Sequence, residues 1–216
     1  AMTGRGIFIT LEGGEGSGKS TQIARLADFL RTQRHEVITT REPGGTPEAE
    51  AIRALLTRRD GGNWTPMAET LLFFAARAMH VETLIKPAID AGKIVICDRF
   101  TDSTRAYQSF GHGLDRSLIE DLVRLTLKGF EPDLTFVLDI DPRTGLSRAK
   151  GRMGDSTAAE DRFERLDVSF HEKLRAGYLE IARENPKRCV VVDAARSVDE
   201  IAAALAAVTA ERLAHV

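Results

Sequence analysis

Apolar and polar positions divide the chain into two kinds of segment that follow one another in turn. Short, continuous runs of β-branched and other apolar residues predict strands that are buried on both faces. These runs are Ile7 to Glu12, Val37 to Thr40, Ile94 to Asp98, Leu134 to Asp139 and Val190 to Asp193. Longer stretches between them carry apolar residues at helical spacing. These stretches are Gln22 to Arg34, Pro47 to Arg59, Met67 to Ala91, Asp115 to Leu127, Asp161 to Glu184 and Val198 to Arg212.

The repeated order of strand and helix predicts an α/β fold with an open, parallel, five-stranded sheet and helices on both faces. We expect a single domain over residues 1–216. Ligands of such sheets bind beyond the carboxyl ends of the strands, where loops meet helix N-termini. The segment Gly151 to Ala159 is the least patterned, with glycines and small polar residues. Such a composition is most often a surface loop, and it also suits a mobile lid, which we place at about residues 148–162.

Composition narrows the classes of partner. The 216 residues carry 30 basic and 32 acidic side chains, a formal net charge of −2, so no global positive field favours nucleic acid. Two cysteines are too few for a disulfide framework, which indicates a reducing, cytoplasmic compartment. The apolar runs are much shorter than the roughly 18 residues of a membrane span, so we expect no membrane association.

One motif predicts phosphate chemistry directly. The first strand leads into Gly13-Gly14-Glu15-Gly16-Ser17-Gly18-Lys19-Ser20, which matches G-x-x-x-x-G-K-[ST] and indicates a P-loop NTPase-type fold. Glycines let successive N–H groups point at phosphate oxygens, and the following helix adds the positive end of its dipole. Lys19 is expected to reach the terminal phosphates of a bound nucleotide and Ser20 to ligate Mg²⁺. The predicted nucleotide site comprises Gly13, Gly14, Gly16, Ser17, Gly18, Lys19, Ser20, Thr21 and Arg148.

Two further strands end in charged residues. The second runs into Arg41-Glu42-Pro43-Gly44-Gly45-Thr46, whose rigid turn would hold a guanidinium where it can bind phosphate as a fork. A surface arginine before a turn fits that motif alone equally well. The third strand ends in Asp98 and Arg99, which predicts a Mg²⁺ contact for Asp98 and places Arg99 in the same cleft. A structural ion pair between Asp98 and Arg99 is the competing interpretation.

An aromatic residue and an arginine share one face of the predicted helix from Met67. Phe73 and Arg77 are four residues apart, so the ring and the guanidinium can address the same planar ligand. Taken alone, Phe73 is more simply a core residue. For Phe74 we prefer the core interpretation outright.

Together these motifs resemble the thymidylate kinase family, in its bacterial form, along nearly the whole chain. The resemblance is carried by the ordered set Gly13 to Ser20, Arg41 to Thr46, Phe73 to Arg77, Asp98-Arg99 and Asp161-Arg162. It implies that the phosphate loop holds ATP and that Arg41 and Arg99 bind the phosphate of dTMP. It also implies that Phe73 stacks on thymine and that Arg77 hydrogen-bonds the base.

The resemblance assigns further residues to the nucleoside. It implies that Tyr107 selects deoxyribose by crowding the sugar's 2′ position, and that Ser103, Thr104 and Gln108 line the pocket. A carboxylate in a loop that holds polyanions is repelled unless it points toward the acceptor. The resemblance accordingly places Glu15 near the 3′-hydroxyl of the acceptor, and it implies a homodimer.

The position of the catalytic arginine differs among members of the family, some of which carry it in the phosphate loop and others in the lid. Gly16 occupies the loop position here, so the charge must come from elsewhere. Arg148, Lys150, Arg152 and Arg162 flank or enter the lid segment, and Arg152 is the preferred candidate. The predicted catalytic residues are Lys19, Arg99, Arg152 and Glu15.

The activity that this resemblance implies is in-line transfer of the γ-phosphoryl group of ATP to dTMP, which gives dTDP and ADP with Mg²⁺ in the synthesis of dTTP. Another nucleoside or nucleoside monophosphate kinase of similar fold is an alternative that a panel of acceptors would separate. A nucleotide-dependent switch is a second alternative, although the sequence lacks an Asn-Lys-x-Asp motif. A DNA-processing ATPase is a third, and the near-neutral charge opposes it.

Overall fold

Five strands form one parallel sheet in the computed structural model, which describes residues 4–58, 62–151 and 166–215. The strands are β1 (Phe8–Gly13), β2 (Val37–Arg41), β3 (Ile94–Asp98), β4 (Leu134–Asp139) and β5 (Cys189–Asp193). Their order in the sheet is β2-β3-β1-β4-β5, and every neighbouring pair is parallel. The predicted α/β class and all five predicted strands are confirmed, with each boundary within one residue of its expected place.

Helices follow the strands along the chain. They are α1 (Lys19–Thr32), α2 (Pro47–Leu56), α3 (Pro66–His80), α4 (Lys86–Asp90), α5 (Thr101–Thr104), α6 (Arg116–Leu127), α7 (Pro142–Gly151), α8 (Val168–Glu184) and α9 (Val198–Leu213). A π-helical turn, Val81–Ile85, joins α3 to α4, and a second, Arg105–Gly111, continues α5. No helix among the described residues is both long and apolar enough to cross a membrane.

Alternate side chains of the strands enter different apolar cores. Ile9 and Leu11 pack with α1 and α9 on one face of the sheet. Phe8 and Val95 pack with α3, α4 and α6 on the other face. Val137 packs with α8. Helices therefore cover both faces, as the sequence predicts.

The helical boundaries follow local signals that periodicity alone misses. Helix α1 begins at Lys19, three residues before the predicted start, because Gly18 adopts a left-handed conformation and ends the loop there. Helix α8 is capped by Asp167, whose side chain accepts from the Phe170 amide at 2.9 Å. The earlier part of that predicted stretch, residues 161–165, lies outside the described residues.

Two helical segments fall outside the predicted stretches, at α7 and at Thr101–Gly111. The second has no solvent-exposed face, since residues 101–109 are all buried. A helix that is buried all round shows no amphipathic stripe, so periodicity could not reveal it. This segment matters because it lies directly after β3 and forms one wall of the candidate site.

Candidate active site

The phosphate loop connects β1 to α1 through Gly13, Gly16 and Gly18, whose φ angles are 149°, 71° and 88°. A Cβ on Gly16 would lie 1.9 Å from the carbonyl oxygen of Gly145 in α7. A Cβ on Gly145 would lie 2.3 Å from the carbonyl oxygen of Glu15. The loop and α7 therefore pack backbone against backbone. Position 16 has no room for an arginine side chain.

Lys19, the first residue of α1, turns its side chain back onto the loop. It is buried, and its Nζ donates to the carbonyl oxygen of Gly13 at 3.2 Å. Burial and the nearby Arg99 guanidinium lower the pKa of Lys19. Ser20 and Thr21 follow on the first turn of the helix and are exposed. The ammonium group thus lies in the loop that the sequence assigns to the phosphates of ATP.

Arg99 brings the end of β3 to the same loop. Its φ of 64° is in the left-handed region, which few residues other than glycine adopt, and its backbone amide donates to the carbonyl oxygen of Leu11 at 3.0 Å. Its guanidinium donates to the carbonyl oxygen of Gly13 at 3.1 Å and to Glu15 Oε1 at 3.1 Å. Although burial alone would raise it, Arg99 and Lys19 lower the pKa of Glu15. Three predicted catalytic residues, Lys19, Arg99 and Glu15, therefore form one charged cluster.

Two buried oxygens beside this cluster lack a hydrogen-bond partner among the described residues: Ser17 Oγ and Asp98 Oδ1. Ser17 lies within the loop, where its backbone amide donates to the carbonyl oxygen of Gly14 at 3.4 Å. Asp98 ends β3, and the ion pair that Arg99 makes among the described residues joins it to Glu15 rather than to Asp98. The competing interpretation of a structural Asp98–Arg99 pair gains no support from this geometry.

Arg41 ends β2 in register with Asp98 of β3. Its guanidinium is half exposed and donates to Glu50 Oε1 and Oε2 of α2 at 3.3 and 3.2 Å. The Gly45 amide donates to the same carboxylate at 3.1 Å. The structure thus places Arg41 at the predicted edge of the sheet, with its Nη2 bonded to Glu50 of α2.

Arg77 is buried and fixed from three sides. Its Nε donates to Glu42 at 2.6 Å, and its terminal nitrogens donate to Thr104 Oγ1 at 2.9 Å and to the carbonyl oxygen of Phe100 at 3.2 Å. Glu42 also contacts His80 Nδ1 at 3.0 Å. Sequence reasoning missed Glu42 and His80. Their signal was available, because His80 follows Arg77 at helical spacing and Glu42 belongs to the quoted Arg-Glu-Pro motif.

The remaining predicted nucleoside residues lie along α3 and the segment after α5. Phe73 is half-buried, whereas Phe74 belongs to the core, as predicted for it. The hydroxyl of Tyr107 donates to Glu15 Oε1 at 3.2 Å, and its ring lies 5.2 Å from the Arg99 guanidinium. Gln108 Nε2 donates to Glu69 at 3.1 Å. The Tyr107 side chain therefore joins the nucleoside wall to the charged cluster.

Comparison with known proteins agrees with this geometry. The family described as Thymidylate kinase matches residues 11–205. The thymidylate kinase of Caulobacter vibrioides is 52% identical over 209 residues, which cover 97% of this chain and 98% of that protein. That of Ruegeria pomeroyi is 50% identical over 202 residues, which cover 94% and 93%. The chain belongs to the thymidylate kinase family.

A solved member of the thymidylate kinase family has the same fold. The crystal structure of thymidylate kinase from Ehrlichia chaffeensis matches with a TM-score of 0.76 at 36% identity, over 95% of this chain and 98% of that one. The chain is a phosphotransferase that uses ATP to convert dTMP to dTDP, for the synthesis of dTTP. The acceptor class and the kinase chemistry predicted from the sequence are confirmed.

The structure adds residues to this thymidylate kinase site that sequence reasoning missed. Glu12, the last side chain of β1, is fully buried and accepts from the Phe100 amide at 2.7 Å and from Ser103 Oγ at 2.5 Å. Burial and the neighbouring Asp102 carboxylate raise the pKa of Glu12 to about 7. Tyr178 of α8 contacts Ser103 Oγ at 2.9 Å. A glutamate closing an otherwise apolar strand was the available signal.

One face of α8 lines a cavity beside the phosphate loop. His171, Arg175 and Tyr178 follow one another at helical spacing, and the cavity also contacts Glu15 and Asp139. Arg175 donates to both carboxylate oxygens of Asp139, from Nε at 2.8 Å and from Nη2 at 3.0 Å. Helix α8 thus reaches the charged cluster directly, through the contact of Tyr178 with Arg99 at 3.2 Å.

The lid positions are only partly described. Arg148 lies in α7 and donates to the carbonyl oxygen of Ala194 at 3.0 Å, next to the end of β5. Lys150 is exposed on the same helix. Arg152, Asp161 and Arg162 lie outside the described residues. The choice of Arg152 as the catalytic residue among these basic side chains therefore stays a prediction.

Proposed function

We propose that the chain phosphorylates dTMP at the charged cluster of Lys19, Arg99 and Glu15. The observation that carries this assignment is the contact of Arg99 with Gly13 and Glu15, because it joins the end of β3 to the phosphate loop. The residue proposed for the acceptor phosphate therefore lies against the loop proposed for the donor. Such proximity suits in-line transfer between two phosphates.

The attacking group is the phosphate of dTMP, which is already an anion. The reaction therefore needs no strong general base, and positioning with charge neutralisation supplies the catalysis. Lys19 would leave the Gly13 carbonyl and contact the terminal phosphates of ATP, while the loop amides from Gly13 to Ser20 and the adjoining Thr21 hold the rest. Arg99 would neutralise the incoming phosphate. The phosphates of ATP and dTMP would then lie between the cations Lys19 and Arg99.

The acceptor side follows from the same geometry. We assign the dTMP phosphate to Arg99 and Arg41, and the bonds of Arg41 to Glu50 engage only Nη2 of its guanidinium. Phe73 would stack on thymine beside Arg77. Each terminal nitrogen of an arginine carries two hydrogens, so the bonds of Arg77 to Thr104 and Phe100 leave it further donor capacity for the base.

Tyr107, together with Ser103, Thr104 and Gln108, would form the wall of the deoxyribose. The hydroxyl of Tyr107 already contacts Glu15, which the proposal places near the 3′-hydroxyl. A ring that is held against this carboxylate occupies space that a 2′-hydroxyl would need. Preference for deoxyribose then follows from volume rather than from a dedicated hydrogen bond.

Magnesium is the metal that fits this donor set. Mg²⁺ typically takes one or two protein ligands and fills its shell with substrate phosphates and water. Among the described residues no three His, Cys, Asp or Glu side chains form a dedicated metal cage, whereas Asp98 Oδ1 is buried without a partner. Asp98, directly or through water, and Ser20 would hold the ion, which would neutralise charge on the phosphates of ATP.

A cation from the lid would complete the site. The close packing of Gly16 on Gly145 leaves no space for an arginine at position 16. We therefore propose Arg152 as the catalytic arginine, with Arg148 on the ATP side and Arg162 and Lys150 as competitors. Replacement of each in turn should show a selective loss of kcat for the residue that acts.

We propose a homodimer that uses α2, α3 and α6. Helix α3 contacts the other two, and these helices expose the large apolar side chains Leu55 (41%), Met67 (38%), Leu71 (49%) and Leu125 (68%). Sedimentation should show a dimer that Leu71→Glu dissociates, and a native chain that sediments as a monomer would refute the proposal.

The two free cysteines are both buried, consistent with a reducing, cytoplasmic setting.

The acceptor specificity is tested by ADP release with Mg²⁺–ATP and a panel of monophosphates: dTMP, dUMP, dCMP, dAMP, dGMP and UMP. We expect multiple turnovers with dTMP and the highest kcat/KM among the panel. Release of ADP at the same rate without any acceptor would indicate an ATPase instead. Equal use of UMP and dUMP would contradict the role given to Tyr107.

A further inference from the structure

A buried hydrogen-bond chain runs from Glu12 to Arg99. Glu12 Oε1 accepts from the Phe100 amide at 2.7 Å, and Oε2 accepts from Ser103 Oγ at 2.5 Å and from the Tyr178 hydroxyl at 3.4 Å. Both oxygens of the carboxylate are therefore occupied by protein donors. Because the side chain is fully buried, Glu12 cannot itself reach a substrate.

The same two hydroxyls contact the guanidinium of Arg99. Arg99 donates to Ser103 Oγ at 3.3 Å and to the Tyr178 hydroxyl at 3.2 Å, and the two hydroxyls lie 2.9 Å apart. Ser103 and Tyr178 thus stand between a buried carboxylate and the cation that faces the phosphate loop. One of them comes from α5 and the other from α8.

The chemistry of these groups fixes the direction of the bonds. A guanidinium only donates and an ionised carboxylate only accepts. The hydroxyl oxygens of Ser103 and Tyr178 must therefore present lone pairs to Arg99. Ser103 directs its proton to Glu12 at 2.5 Å, and Tyr178 directs its proton to the Ser103 oxygen at 2.9 Å or to Glu12 at 3.4 Å. Burial and the Glu12 carboxylate raise the pKa of Tyr178, which keeps that hydroxyl protonated.

The Phe100 amide supplies a second link. It belongs to the residue after Arg99, whose backbone is in the left-handed region with φ at 64°. A non-glycine residue keeps such a conformation only when neighbouring contacts hold it. The bond from the Phe100 amide to Glu12 is one of those contacts, so the carboxylate restrains both the backbone and the side chain of Arg99.

We propose that Glu12, through Ser103, Tyr178 and the Phe100 amide, is a positioning residue that holds the Arg99 guanidinium in the orientation in which it meets the acceptor phosphate. The inference rests on the role proposed above for Arg99. An amide at position 12 would have nearly the same shape but would donate toward the hydroxyls. It would therefore turn their protons toward the guanidinium.

The test is steady-state kinetics at about pH 8, above the Glu12 pKa of about 7, with dTMP and ATP varied in turn. We expect Glu12→Gln to raise the KM for dTMP roughly tenfold, as the loss of other supporting hydrogen bonds around a ligand does. Tyr178→Phe should raise it in the same direction. The KM for ATP should stay within about twofold in both variants.

Thr10→Val is the matched control for a lost buried hydrogen bond in β1. Thr10 lies two residues before Glu12 on the same strand, and its hydroxyl contacts Thr135 Oγ1 at 2.7 Å in the core. We expect this variant to lower the unfolding temperature and to leave both KM values unchanged. If it raises the KM for dTMP as Glu12→Gln does, the effect is general to the strand and the inference fails.

A double-mutant comparison separates this inference from the role of Arg99 itself. With alanine in place of Arg99, the further change Glu12→Gln should no longer raise the KM for dTMP. Additive effects would overturn the inference. If Arg99→Ala weakens the binding of dTMP while Glu12→Gln and Tyr178→Phe do not, the positioning role of Glu12 is wrong but the role of Arg99 stands. If Arg99→Ala leaves dTMP unaffected, the proposed acceptor site fails as well. Should Glu12→Gln not fold, Tyr178→Phe decides.

Discussion

The folded chain disfavours the charged form of Lys19, because burial and Arg99 both lower its pKa. Among the described residues, its Nζ donates a hydrogen bond to the uncharged carbonyl oxygen of Gly13. We therefore expect Lys19→Ala to keep or raise the unfolding temperature while nearly abolishing phosphoryl transfer. Activity within about tenfold of the native chain, a loss of only about 1.4 kcal/mol in the barrier, would contradict the phosphate-loop assignment.

Gly145 and Gly151 offer a matched pair within α7. A Cβ on Gly145 would lie 2.3 Å from the Glu15 carbonyl oxygen, whereas a Cβ on Gly151 meets nothing within 4 Å. Gly145→Ala should displace α7 from the phosphate loop and lower kcat/KM by roughly tenfold or more. Gly151→Ala, at the last residue of α7, should lower kcat/KM much less than Gly145→Ala does. Equal effects on activity from the two changes would show that the loop contact is unimportant.

Some site residues could be predicted from the sequence because their chemistry depends on local spacing. The loop from Gly13 to Ser20 is of this kind, since its glycines and Lys19 act within one turn of the chain. The bonds of Arg41 to Glu50 could not be predicted, because they depend on how α2 packs beside β2. Glu12 was missed for a similar reason: its partners come from distant parts of the chain.

At the scale of elements, the strand β1 carries a buried acid that opposes folding when it is ionised. The pKa of Glu12 is about 7 in the folded chain, above its ordinary value of 4.5, through burial and Asp102 and despite Ser103 and Arg99. At Glu12 the folded state therefore binds more protons than the unfolded state between those two values. The contribution of Glu12 to the stability of the fold must fall as the pH rises through this interval.

The change Glu12→Gln removes that titration. The unfolding free energy of the variant, relative to the native chain, should rise from pH 4.5 to pH 7 by up to about 3 kcal/mol and then level off. Urea unfolding of both proteins over this range is the measurement, with Thr10→Val as a control that does not titrate. Stability curves that run parallel across the interval would show that Glu12 has an ordinary pKa.

Elements with a clear pattern were predictable, and elements buried all round were not. The five strands appear where continuous apolar runs end in polar residues. The segment Thr101–Gly111 has no exposed face over residues 101–109, so its helical structure left no periodic signal. This segment supplies Ser103, Tyr107 and Gln108, which explains why the sequence revealed these residues through family resemblance and not through pattern.

At the scale of the whole molecule, the parallel sheet brings distant residues to one edge. The carboxyl ends of β1 and β3 are neighbours in the sheet, with Leu11 in register with Asp98. Arg99 follows directly and reaches the loop that follows β1. Sheet order therefore determines that Arg99, the proposed cation for the acceptor phosphate, contacts the phosphate loop, although 86 residues separate Arg99 from Gly13 along the chain.

The central claim is that this meeting point holds the acceptor phosphate. The most direct measurement is equilibrium titration of native chain and Arg99→Ala, each with dTMP and with a non-hydrolysable ATP analogue. The account predicts that Arg99→Ala lowers the affinity for dTMP by at least about tenfold, or 1.4 kcal/mol, and changes the affinity for the ATP analogue much less. Equal weakening of both ligands, or an unchanged affinity for dTMP, would contradict it.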